Sequence, residues 1–464
     1  MRKLELVHFT RSARQLAYSV QIGGLQFSTS IWYDSVDFVD LEATYGSDFM
    51  RRIYFHIVAF DINRLVSLRP DTIDFGPFQD LVSPSFSALW HQIFAGVWGQ
   101  WRYENDLPDY GGPQFVGLSE AEPAAIAVVK TEASPPNLAF CGGGKDSLFA
   151  LSLLEEAGEA FDSLVYSHSI YGSHAAQHGL IDRLLDHTAV GRRHRVWICD
   201  DFLAVPILSL APELGVRSIT AAETPSSAFI ALPVAMAHGF QRLVLAHEKS
   251  ADSGNMEWAV TGETINHQWG KSFAAELLLS TYIEQRLLSN VHYFSLLKPV
   301  QDVVIFSALQ GLTVALPFAH SCNIEKPWCK RCAKCAYVWL NYAAYLPEDT
   351  VMAIFGENLF DVDENLIWFR QLLGLEAHTP FECVGEVEES RLAFALCGTR
   401  GYTGRAMALC EQEGEIEKGS LEELFTVATG QHLIPPSLAG KVVPLLEKKA
   451  AAGRAYVGAA LARS

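Results

Sequence analysis

The sequence predicts an α/β protein built on a doubly wound, mostly parallel sheet. From Leu138 onward, short apolar runs typical of strands alternate with longer amphipathic runs typical of helices. This alternation is the pattern of βαβ units and of a parallel sheet. The first of these strand-to-helix junctions carries three consecutive glycines, and open α/β sheets bind ligands at the carboxyl ends of their strands. An N-terminal α+β domain and a C-terminal mainly helical region are predicted to flank this sheet.

Composition and turn-forming residues divide the chain into three predicted regions. Residues 1–130 are rich in aromatic and β-branched residues, which predicts an N-terminal α+β domain of short strands with some helix. Residues 131–345 carry the alternating pattern, and residues 346–464 are predicted to be mainly helical. The segments LPDYGGPQ (107–114) and EASPPN (132–137) contain the glycine and proline that mark linkers. A chain of 464 residues exceeds one ordinary core, which agrees with this division.

Each element of the sheet region follows from its own pattern. The predicted strands are apolar runs bounded by polar or turn-forming residues, at 138–141, 163–169, 194–199, 242–247 and 292–297. The predicted helices run from near Ser147 to Gly158 and lie within 174–191, 221–239 and 274–289. The glycine stretch and the loops after His168 and His247 all follow strands. We therefore expect them at one edge of the sheet, where ligands gather.

The composition disfavours some classes of partner. Hydrophobic residues make up 49% of the chain and charged residues 19%, which is typical of a globular protein. The formal net charge is −18, which disfavours a nucleic-acid partner. No apolar run reaches membrane-spanning length, and MRKLELVHFTRSARQ lacks the unbroken apolar core of a signal peptide. The expected compartment is the cytoplasm, with no membrane partner.

The stretch LAFCGGGKDS (138–147) predicts a phosphate-binding loop. The Walker pattern fails because Lys145 is followed by Asp146, and the dinucleotide pattern fails because Ser147 stands where it needs glycine. Glycine amides and a helix N-terminus donate to phosphate oxygens, lysine can neutralise them and aspartate can hold Mg²⁺. The alternative is a plain glycine turn with a capped helix. The predicted ATP-binding residues are Gly142, Gly143, Gly144, Lys145, Asp146, Ser147, Ser167 and His168, with Asp146 as the Mg²⁺ ligand.

Four cysteines predict a metal site after the sheet. Cys322, Cys329, Cys332 and Cys335 have the spacing C-x6-C-x2-C-x2-C. Four thiolates can close a tetrahedral zinc site, and such a site is structural because no position stays open for substrate. We expect the nearby cations, Lys334 among them, to offset the thiolate charge. An iron–sulfur cluster and a set of free or buried cysteines remain alternatives.

Three polar segments supply the remaining candidates. LAHEKSADSGN (245–255) follows a strand directly, INHQWGKS (265–272) precedes a long helix, and HTPFECVGEVEESR (378–391) carries a cysteine between turn-forming residues. For each, a solvated loop, an elaborate helix start or simple packing is the alternative. The predicted catalytic residues are Lys145, Asp146, His247, Lys249, His267 and Cys383. The predicted substrate-binding residues are Glu248, Asn266 and Lys271.

The glycine loop resembles the pyrophosphate loop of the ATP pyrophosphatase superfamily, whose motif is S-G-G-x-D-S. Residues 143–147 match this motif, while Gly142 replaces its first serine and so removes one hydroxyl donor. The resemblance implies the HUP-like, doubly wound fold of PP-loop ATPases. It also implies cleavage of ATP between the α and β phosphates, with transfer of AMP to a carboxylate or carbonyl oxygen.

The whole chain resembles the UDP-N-acetyl-α-D-muramoyl-L-alanyl-L-glutamate epimerase (MurL) family of peptidoglycan biosynthesis. The motifs that carry this resemblance are G-G-K-D-S, INHQWGKS, the cysteine segment and PFECVGE. It implies that ATP and Mg²⁺ activate the terminal L-glutamate of a small-molecule substrate, UDP-MurNAc-L-Ala-L-Glu, as an acyl adenylate. Proton removal and return then yield D-glutamate, AMP and pyrophosphate.

Two alternatives stay open from the sequence. One is an adenylating ligase or nucleobase synthase resembling 7-cyano-7-deazaguanine synthase, which shares the superfamily motif and a four-cysteine site. The other is a non-catalytic ATP-binding sensor. The sequence does not give the oligomeric state.

Overall fold

A computed structural model of the protein describes residues 2–120, 122, 126–130, 137–202, 206–210, 212, 215–219, 223–411 and 419–462. Its centre is a mixed, largely parallel sheet of ten strands, which confirms the predicted α/β class. The strands of this sheet are β1 (Lys3–Arg11), β2 (Gln15–Ile22), β3 (Leu25–Tyr33), β4 (Thr72–Asp74), β5 (Gln114–Phe115), β6 (Asn137–Phe140), β7 (Phe161–His168), β8 (Arg193–Asp200), β9 (Arg242–Leu245) and β12 (His292–Ser295). A separate antiparallel pair is formed by β10 (Met256–Trp258) and β11 (Glu263–Ile265).

The strand order places the glycine loop at a crossover. The sheet runs β12-β9-β6-β7-β8-β3-β2-β1-β4-β5. Strands β6 to β9 and β12 pair in parallel, and in chain order they give the arrangement 3-2-1-4-5 found in open α/β sheets. The direction of winding reverses between β6 and β9. The loops after these two strands therefore flank the crevice in which such sheets bind ligands.

The helices cover both faces of the parallel strands. The leucines of α5 and α6 join one buried core, while α8, α9 and α10 pack into a second core that also includes β1–β3. The helices are α1 (Phe38–Tyr45), α2 (Ser47–Asp61), α3 (Pro84–Val97), α4 (Gly99–Glu104), α5 (Lys145–Glu156), α6 (His174–Leu185), α7 (Ile207–Leu210), α8 (Glu223–Ile230), α9 (Leu232–His238), α10 (Phe273–Tyr282), α11 (Asp302–Ala308), α12 (Ala333–Tyr345), α13 (Glu348–Phe355), α14 (Leu366–Leu372), α15 (Val387–Thr399), α16 (Arg405–Glu411), α17 (Leu421–Leu424) and α18 (Pro436–Leu461).

Two predicted helices differ from the structure in detail. The segment predicted as one helix at 221–239 forms α8 and α9, because Pro233 lies in the first turn of α9 and lacks the N–H that a continuous helix would use. Residues 221 and 222 lie outside the described part of the chain. The helix predicted at 274–289 is α-helical only to Tyr282 and continues as a π-helical turn, Ile283–Leu287.

The strands β1, β2 and β3 form an antiparallel N-terminal meander that extends the parallel sheet. Strand β3 pairs antiparallel with β8, from Thr29 opposite Asp200 to Tyr33 opposite Val196. The sheet is therefore continuous across the boundary predicted at residue 130. The three-region division itself stays a prediction.

A buried ion cluster ties the meander to the parallel strands. Arg64 follows α2 in the 3-10 turn Ile62–Leu68, and its side chain is 4% exposed. Its guanidinium binds Asp61 at 2.7 Å, pairs with Asp200 at the end of β8 and donates to Thr29 Oγ1 of β3 at 3.0 Å. One planar cation thus joins three elements, which suits the fork geometry of arginine.

We expect Arg64→Met to lower the free energy of unfolding by about 3–5 kcal/mol, because it leaves two buried carboxylates without their cation. Urea denaturation measures this change. The matched control is Arg51→Met, because Arg51 pairs with Asp80 on the surface, where such pairs contribute about 0–1 kcal/mol. Equal losses in the two variants would contradict the role given to Arg64.

Candidate active site

The glycine loop is held by the segment that precedes the cysteines. Gly143 has a φ of +81°, and a Cβ there would lie 2.4 Å from His320 Cε1. The His320 N–H donates to the Gly143 carbonyl at 2.8 Å. Gly144 caps α5, and a Cβ on it would lie 3.2 Å from Ser321 Oγ. Glycine at position 143 is therefore required both by backbone conformation and by close packing.

The first glycine of the loop has a different environment. A Cβ on Gly142 would meet no atom within 4 Å, and its φ is not in the left-handed region. Its N–H donates to Ser147 Oγ at 3.2 Å, so Ser147 braces the loop from the first turn of α5. The place where the pyrophosphate-loop motif has serine is therefore open space beside a cavity.

Lys145 lies beneath the loop rather than in it. Its side chain is 1% exposed, it pairs with Asp146 and Asp302, and its Nζ lies 4.5 Å from the centre of the Phe306 ring. Burial opposes its charge, but the two carboxylates outweigh burial and raise the pKa of Lys145 above its ordinary value. Asp302 also accepts a hydrogen bond from Tyr337 Oη at 2.7 Å. The structure thus places Lys145 as the counter-ion of Asp146, away from the open side of the loop.

Two adjoining cavities open beside the glycine loop. The inner cavity, about 250 Å³, lies against the loop, and the outer cavity, about 440 Å³, extends toward α3 and α4. The inner cavity alone is lined by Phe140, Cys141, Gly144, Asp146, Ser147, Ser227, Leu245, Ala246, His247, Glu248, Ser321 and Lys334. Both cavities are lined by Gly142, Tyr166, Thr224, Lys271, His320, Asn323, Lys326 and Cys383. The two volumes are therefore parts of one cleft.

Cys383 is surrounded by cations where the two cavities meet. Lys271 Nζ lies 2.9 Å from Cys383 Sγ, and Lys334 Nζ donates to the Cys383 carbonyl. Burial disfavours a thiolate, yet Lys271, His267 and Lys334 together lower the pKa of Cys383 to about 6. The pKa of His267 is raised, because Cys383 outweighs the effect of burial. The arrangement favours a thiolate at neutral pH.

Of the two residues predicted at the end of β7, His168 lines the cleft and Ser167 does not. Ser167 is buried, and its Oγ bridges His174 Nδ1 at 2.7 Å and His178 Nε2 at 2.8 Å. His168 lines the outer cavity and is 2% exposed. Burial and the nearby Arg64 lower the pKa of His168 to about 3, so the ring is neutral. Its Nε2 is buried without a hydrogen-bond partner among the described residues.

The structure separates the other predicted residues into two groups. His247 and Glu248 line the inner cavity. Burial lowers the pKa of His247, while burial near Asp146 raises the pKa of Glu248 to about 7. Lys249 and Asn266 line neither cavity.

Asn266 is occupied within its own loop. Its Nδ2 donates to the Ala251 carbonyl at 3.0 Å, and its Oδ1 accepts from the Gln268 N–H at 2.7 Å. The prediction that Asn266 binds substrate finds no support in this placement, since both ends of the amide shape the loop that carries His267.

Several cleft residues were missed from the sequence. Lys326 and Lys334 lie within the cysteine segment, and Lys334 donates to the Cys383 carbonyl. Their position beside the predicted metal site was the available signal. Further missed residues come from α3 and α4: Val97, Gln100, Trp101 and Glu104. No motif marks them.

The four predicted cysteines come together as a ligand set. The sulfurs of Cys322, Cys329, Cys332 and Cys335 all lie within 4.8 Å of one another. Cys322 and Cys332 are 3.9 Å apart, and Cys329 and Cys335 are 3.8 Å apart. Four thiolates at the usual zinc–sulfur distance of about 2.3 Å would be about 3.8 Å apart in a tetrahedron. Backbone N–H groups point at the sulfurs, including Lys330 N to Cys335 Sγ at 3.3 Å. The cluster could therefore hold a metal ion.

The cysteine cluster also borders the cleft. His320 and Ser321, which pack on the glycine loop, immediately precede Cys322, and Asn323 and Lys326 follow it. Lys334 lies between the last two cysteines. The loop that the four sulfurs would close is thus one wall of the cleft.

Comparison with known proteins supports one family. Residues 319–420 match the MurL C-terminal domain, and residues 223–296 match the MurL N-terminal domain. Lys271 lies in the second segment, and the cysteine cluster and Cys383 lie in the first. The glycine loop lies outside both. No solved structure matches the chain, and no helix among the described residues is long and apolar enough to cross a membrane.

Curated relatives cover most of the chain. It is 29% identical over 379 residues to the UDP-N-acetyl-alpha-D-muramoyl-L-alanyl-L-glutamate epimerase of Xanthomonas oryzae pv. oryzae (strain MAFF 311018), across 76% of this chain and 77% of that relative. Proteins of the same name from Micromonospora sp. and Salinispora tropica are also 29% identical. They match across 75% and 68% of this chain and 77% and 67% of their own lengths. These similarities support the resemblance to the MurL family.

Proposed function

We propose that this protein is an ATP-dependent epimerase of the MurL family, which inverts the terminal L-glutamate of UDP-MurNAc-L-Ala-L-Glu during cytoplasmic peptidoglycan synthesis. The single observation that carries the proposal is the cleft, in which the glycine loop and Cys383 with its neighbouring cations face one space. A loop suited to phosphates beside a group suited to proton removal is what adenylation followed by epimerisation requires. The names of the curated relatives agree with this activity.

The fold that we propose is that of the PP-loop ATP pyrophosphatases. The strand order 3-2-1-4-5 and the position of the glycine loop between β6 and α5 support it. The backbone N–H groups at the start of a helix can bind phosphate oxygens when no side chain blocks the approach. Gly142 leaves the space beside the start of α5 free of side-chain atoms. Lys271, Lys326 and Lys334 add positive charge to the cleft of an acidic chain.

Adenylation explains why such an enzyme would use ATP. A free carboxylate is a poor electron sink, because its negative charge opposes a carbanion at the α-carbon. An acyl adenylate has no charge at its carbonyl, so the α-proton becomes more acidic and an enolate can form. Cationic groups stabilise that enolate most in a site from which water is largely excluded. Lys271 and Lys334 line the inner cavity and are placed for this task.

A magnesium ion fits the inner cavity. The Asp146 carboxylate lines this cavity and is 27% exposed, so its oxygens are available to an ion bound beside the glycine loop. When bound, Mg²⁺ neutralises phosphate charge and orients the leaving pyrophosphate. Lys145 fixes the Asp146 side chain from below. Ser147 holds Gly142 in place, and the backbone of the loop binds the phosphates.

We propose that the cysteine cluster holds structural zinc. Four thiolates select zinc or an iron–sulfur cluster over magnesium, and the sulfur separations fit one tetrahedral ion. The cluster would position His320, Asn323 and Lys326 rather than take part in the chemistry.

The reaction itself is tested with purified protein, UDP-MurNAc-L-Ala-L-Glu, ATP and Mg²⁺. We expect pyrophosphate and AMP to appear, and chiral analysis after hydrolysis to show D-glutamate. Pyrophosphate without D-glutamate would replace the proposal with an adenylating ligase or synthase. ATP binding without pyrophosphate in the presence of the substrate would replace it with a sensor.

The glycine loop supplies a matched pair of variants. We expect Gly143→Ala to reduce pyrophosphate release by about a hundredfold, because the new methyl group displaces His320 and misplaces the loop. Gly142→Ala adds the same methyl group in open space, so its melting temperature should equal that of the wild type. Similar melting temperatures for both variants would contradict the packing described here.

A further inference from the structure

We propose that the thiolate of Cys383 removes the α-proton of the adenylated glutamyl residue. This assignment rests on the proposed function and adds the identity of the base to it. Four of the six predicted catalytic residues are candidate bases, and the structure distinguishes them by position: His247, Lys249, His267 and Cys383.

The position of Cys383 suits proton removal from an adenylated substrate. Cys383 lines the inner cavity together with Asp146 and Ser147 of the glycine loop. It also lines the outer cavity, which is large enough to hold the peptide end of the substrate. A carboxylate being adenylated must lie between the ATP phosphates and the rest of its own molecule. The α-carbon next to it then lies where the two cavities meet, and Cys383 faces that point.

The neighbours of Cys383 keep its thiol ionised. Lys271 Nζ lies 2.9 Å from the sulfur, and Lys334 and His267 approach from two other segments. Three acidic groups act on these cations: Glu382 on His267, and Glu248 and Asp146 on Lys271. Three cations around one thiol are the surroundings in which cysteine becomes a base or nucleophile.

A second observation marks this part of the cleft as a ligand site. Gln268 lines the outer cavity and is 5% exposed, and its Oε1 has no hydrogen-bond partner in the described part of the chain. Its Nε2 donates to the Val384 carbonyl at 2.7 Å, which ties this oxygen to the loop of Cys383. A buried acceptor without a donor costs free energy, so a ligand with an N–H or O–H group is expected there.

The other candidate bases are less well placed. His247 lines the inner cavity, but burial and the neighbouring Lys271 and Lys298 lower its pKa far below the ordinary value, which makes it a weak base. Lys249 lines neither cavity. His267 lines the outer cavity and has Gln100 Oε1 at 2.5 Å from its Nδ1. Its ring can accept the proton of the thiol only after it has given its own proton to solvent.

The step balances without any further reagent. The Cα–H bond breaks and an S–H bond forms, while the electron pair moves into the adenylated carbonyl to give an enolate. A solvent-derived proton then adds to the opposite face of the α-carbon. The His267 imidazolium releases its proton to solvent, the neutral ring then takes the proton of the Cys383 thiol, and the thiolate and imidazolium are restored. Hydrolysis of the adenylate follows.

The test separates adenylation from proton removal. The wild type and Cys383→Ala are incubated in D₂O with UDP-MurNAc-L-Ala-L-Glu, ATP and Mg²⁺, and pyrophosphate release and α-deuterium are measured. We expect Cys383→Ala to release pyrophosphate within threefold of the wild-type rate and to lose deuterium incorporation at least about a hundredfold. Cys199→Ala, at an exposed cysteine outside both cavities, should match the wild type in both.

Deuterium incorporation in Cys383→Ala near the wild-type rate would overturn the assignment and leave the epimerase proposal intact. Failure of the wild type to form D-glutamate would instead overturn the proposed function. If Cys383→Ala also loses pyrophosphate release, the thiol is examined directly. Alkylation of Cys383 by iodoacetamide, located by peptide mass spectrometry, should be half-maximal near pH 6 and move upward in Lys271→Gln. A wild-type midpoint near the ordinary thiol pKa of about 8.5 would overturn the assignment.

Discussion

Asp146→Asn is expected to reduce pyrophosphate release by about a thousandfold, a loss of about 4 kcal/mol of transition-state stabilisation. The amide keeps the size of the carboxylate but removes the charge that would hold Mg²⁺ in the inner cavity. The fold should survive, because Lys145 keeps its pairing with Asp302. Thermal unfolding and a pyrophosphate-coupled assay measure the two quantities.

The matched control for this prediction is Asp349→Asn. Asp349 lies in the first turn of α13, as Asp146 lies in the first turn of α5, but it is outside both cavities. Both variants lose the same favourable interaction with a helix N-terminus, which contributes about 0.3–1 kcal/mol. Only Asp146→Asn should lose pyrophosphate release. Retained release in Asp146→Asn would refute the assignment of the loop.

Loss of the proposed zinc ion is expected to have the second large effect. We expect about one zinc ion per purified chain, and we expect Cys335→Ser to lose the metal and nearly all pyrophosphate release. The reason is structural: the segment closed by the sulfurs carries His320 against Gly143 and places Lys326 and Lys334 in the cleft. Binding of a structural zinc ion contributes about 10–16 kcal/mol in small zinc domains, so the loss should also lower the melting temperature.

Metal analysis and thermal unfolding test this prediction, with Cys199→Ser as the control. Cys199 is exposed and lies on β8, away from the cluster, so its variant should keep the metal and the activity. A fully active protein without zinc or iron would exclude a structural role for the cluster. Iron with sulfide in place of zinc would replace the zinc proposal with an iron–sulfur cluster on the same four cysteines.

Much of the parallel sheet could be predicted because its strands are marked locally. The predicted strand at 163–169 is β7, Phe161–His168, and the run at 242–247 contains β9, Arg242–Leu245. Parallel strands are buried on both faces, so each reads as a short apolar run between turn-forming residues. The pairing of β3 with β8 was not predictable, because it joins segments far apart in the chain and depends on contacts such as that of Arg64 with Asp200.

The candidate site also has one part that local sequence predicts and another that depends on long-range contacts. Gly143, Gly144 and the four cysteines were identified from spacing, since each set acts within one short segment. Lys145 shows the limit of that approach: the motif suggests a phosphate contact, whereas tertiary packing encloses its side chain between Asp146 and Asp302. A motif specifies which residues are present, and it does not specify which way each side chain turns.

The sequence by itself determined the α/β class, the glycine loop at a strand end and the four-cysteine ligand set, because these depend on residues close together in the chain. Only the tertiary structure decided that Cys383 meets Lys271, Lys334 and His267, and that α3 and α4 close the cleft. These groups come from separate segments. Their charges change the pKa of Cys383 only when folding removes water and brings them within a few ångströms.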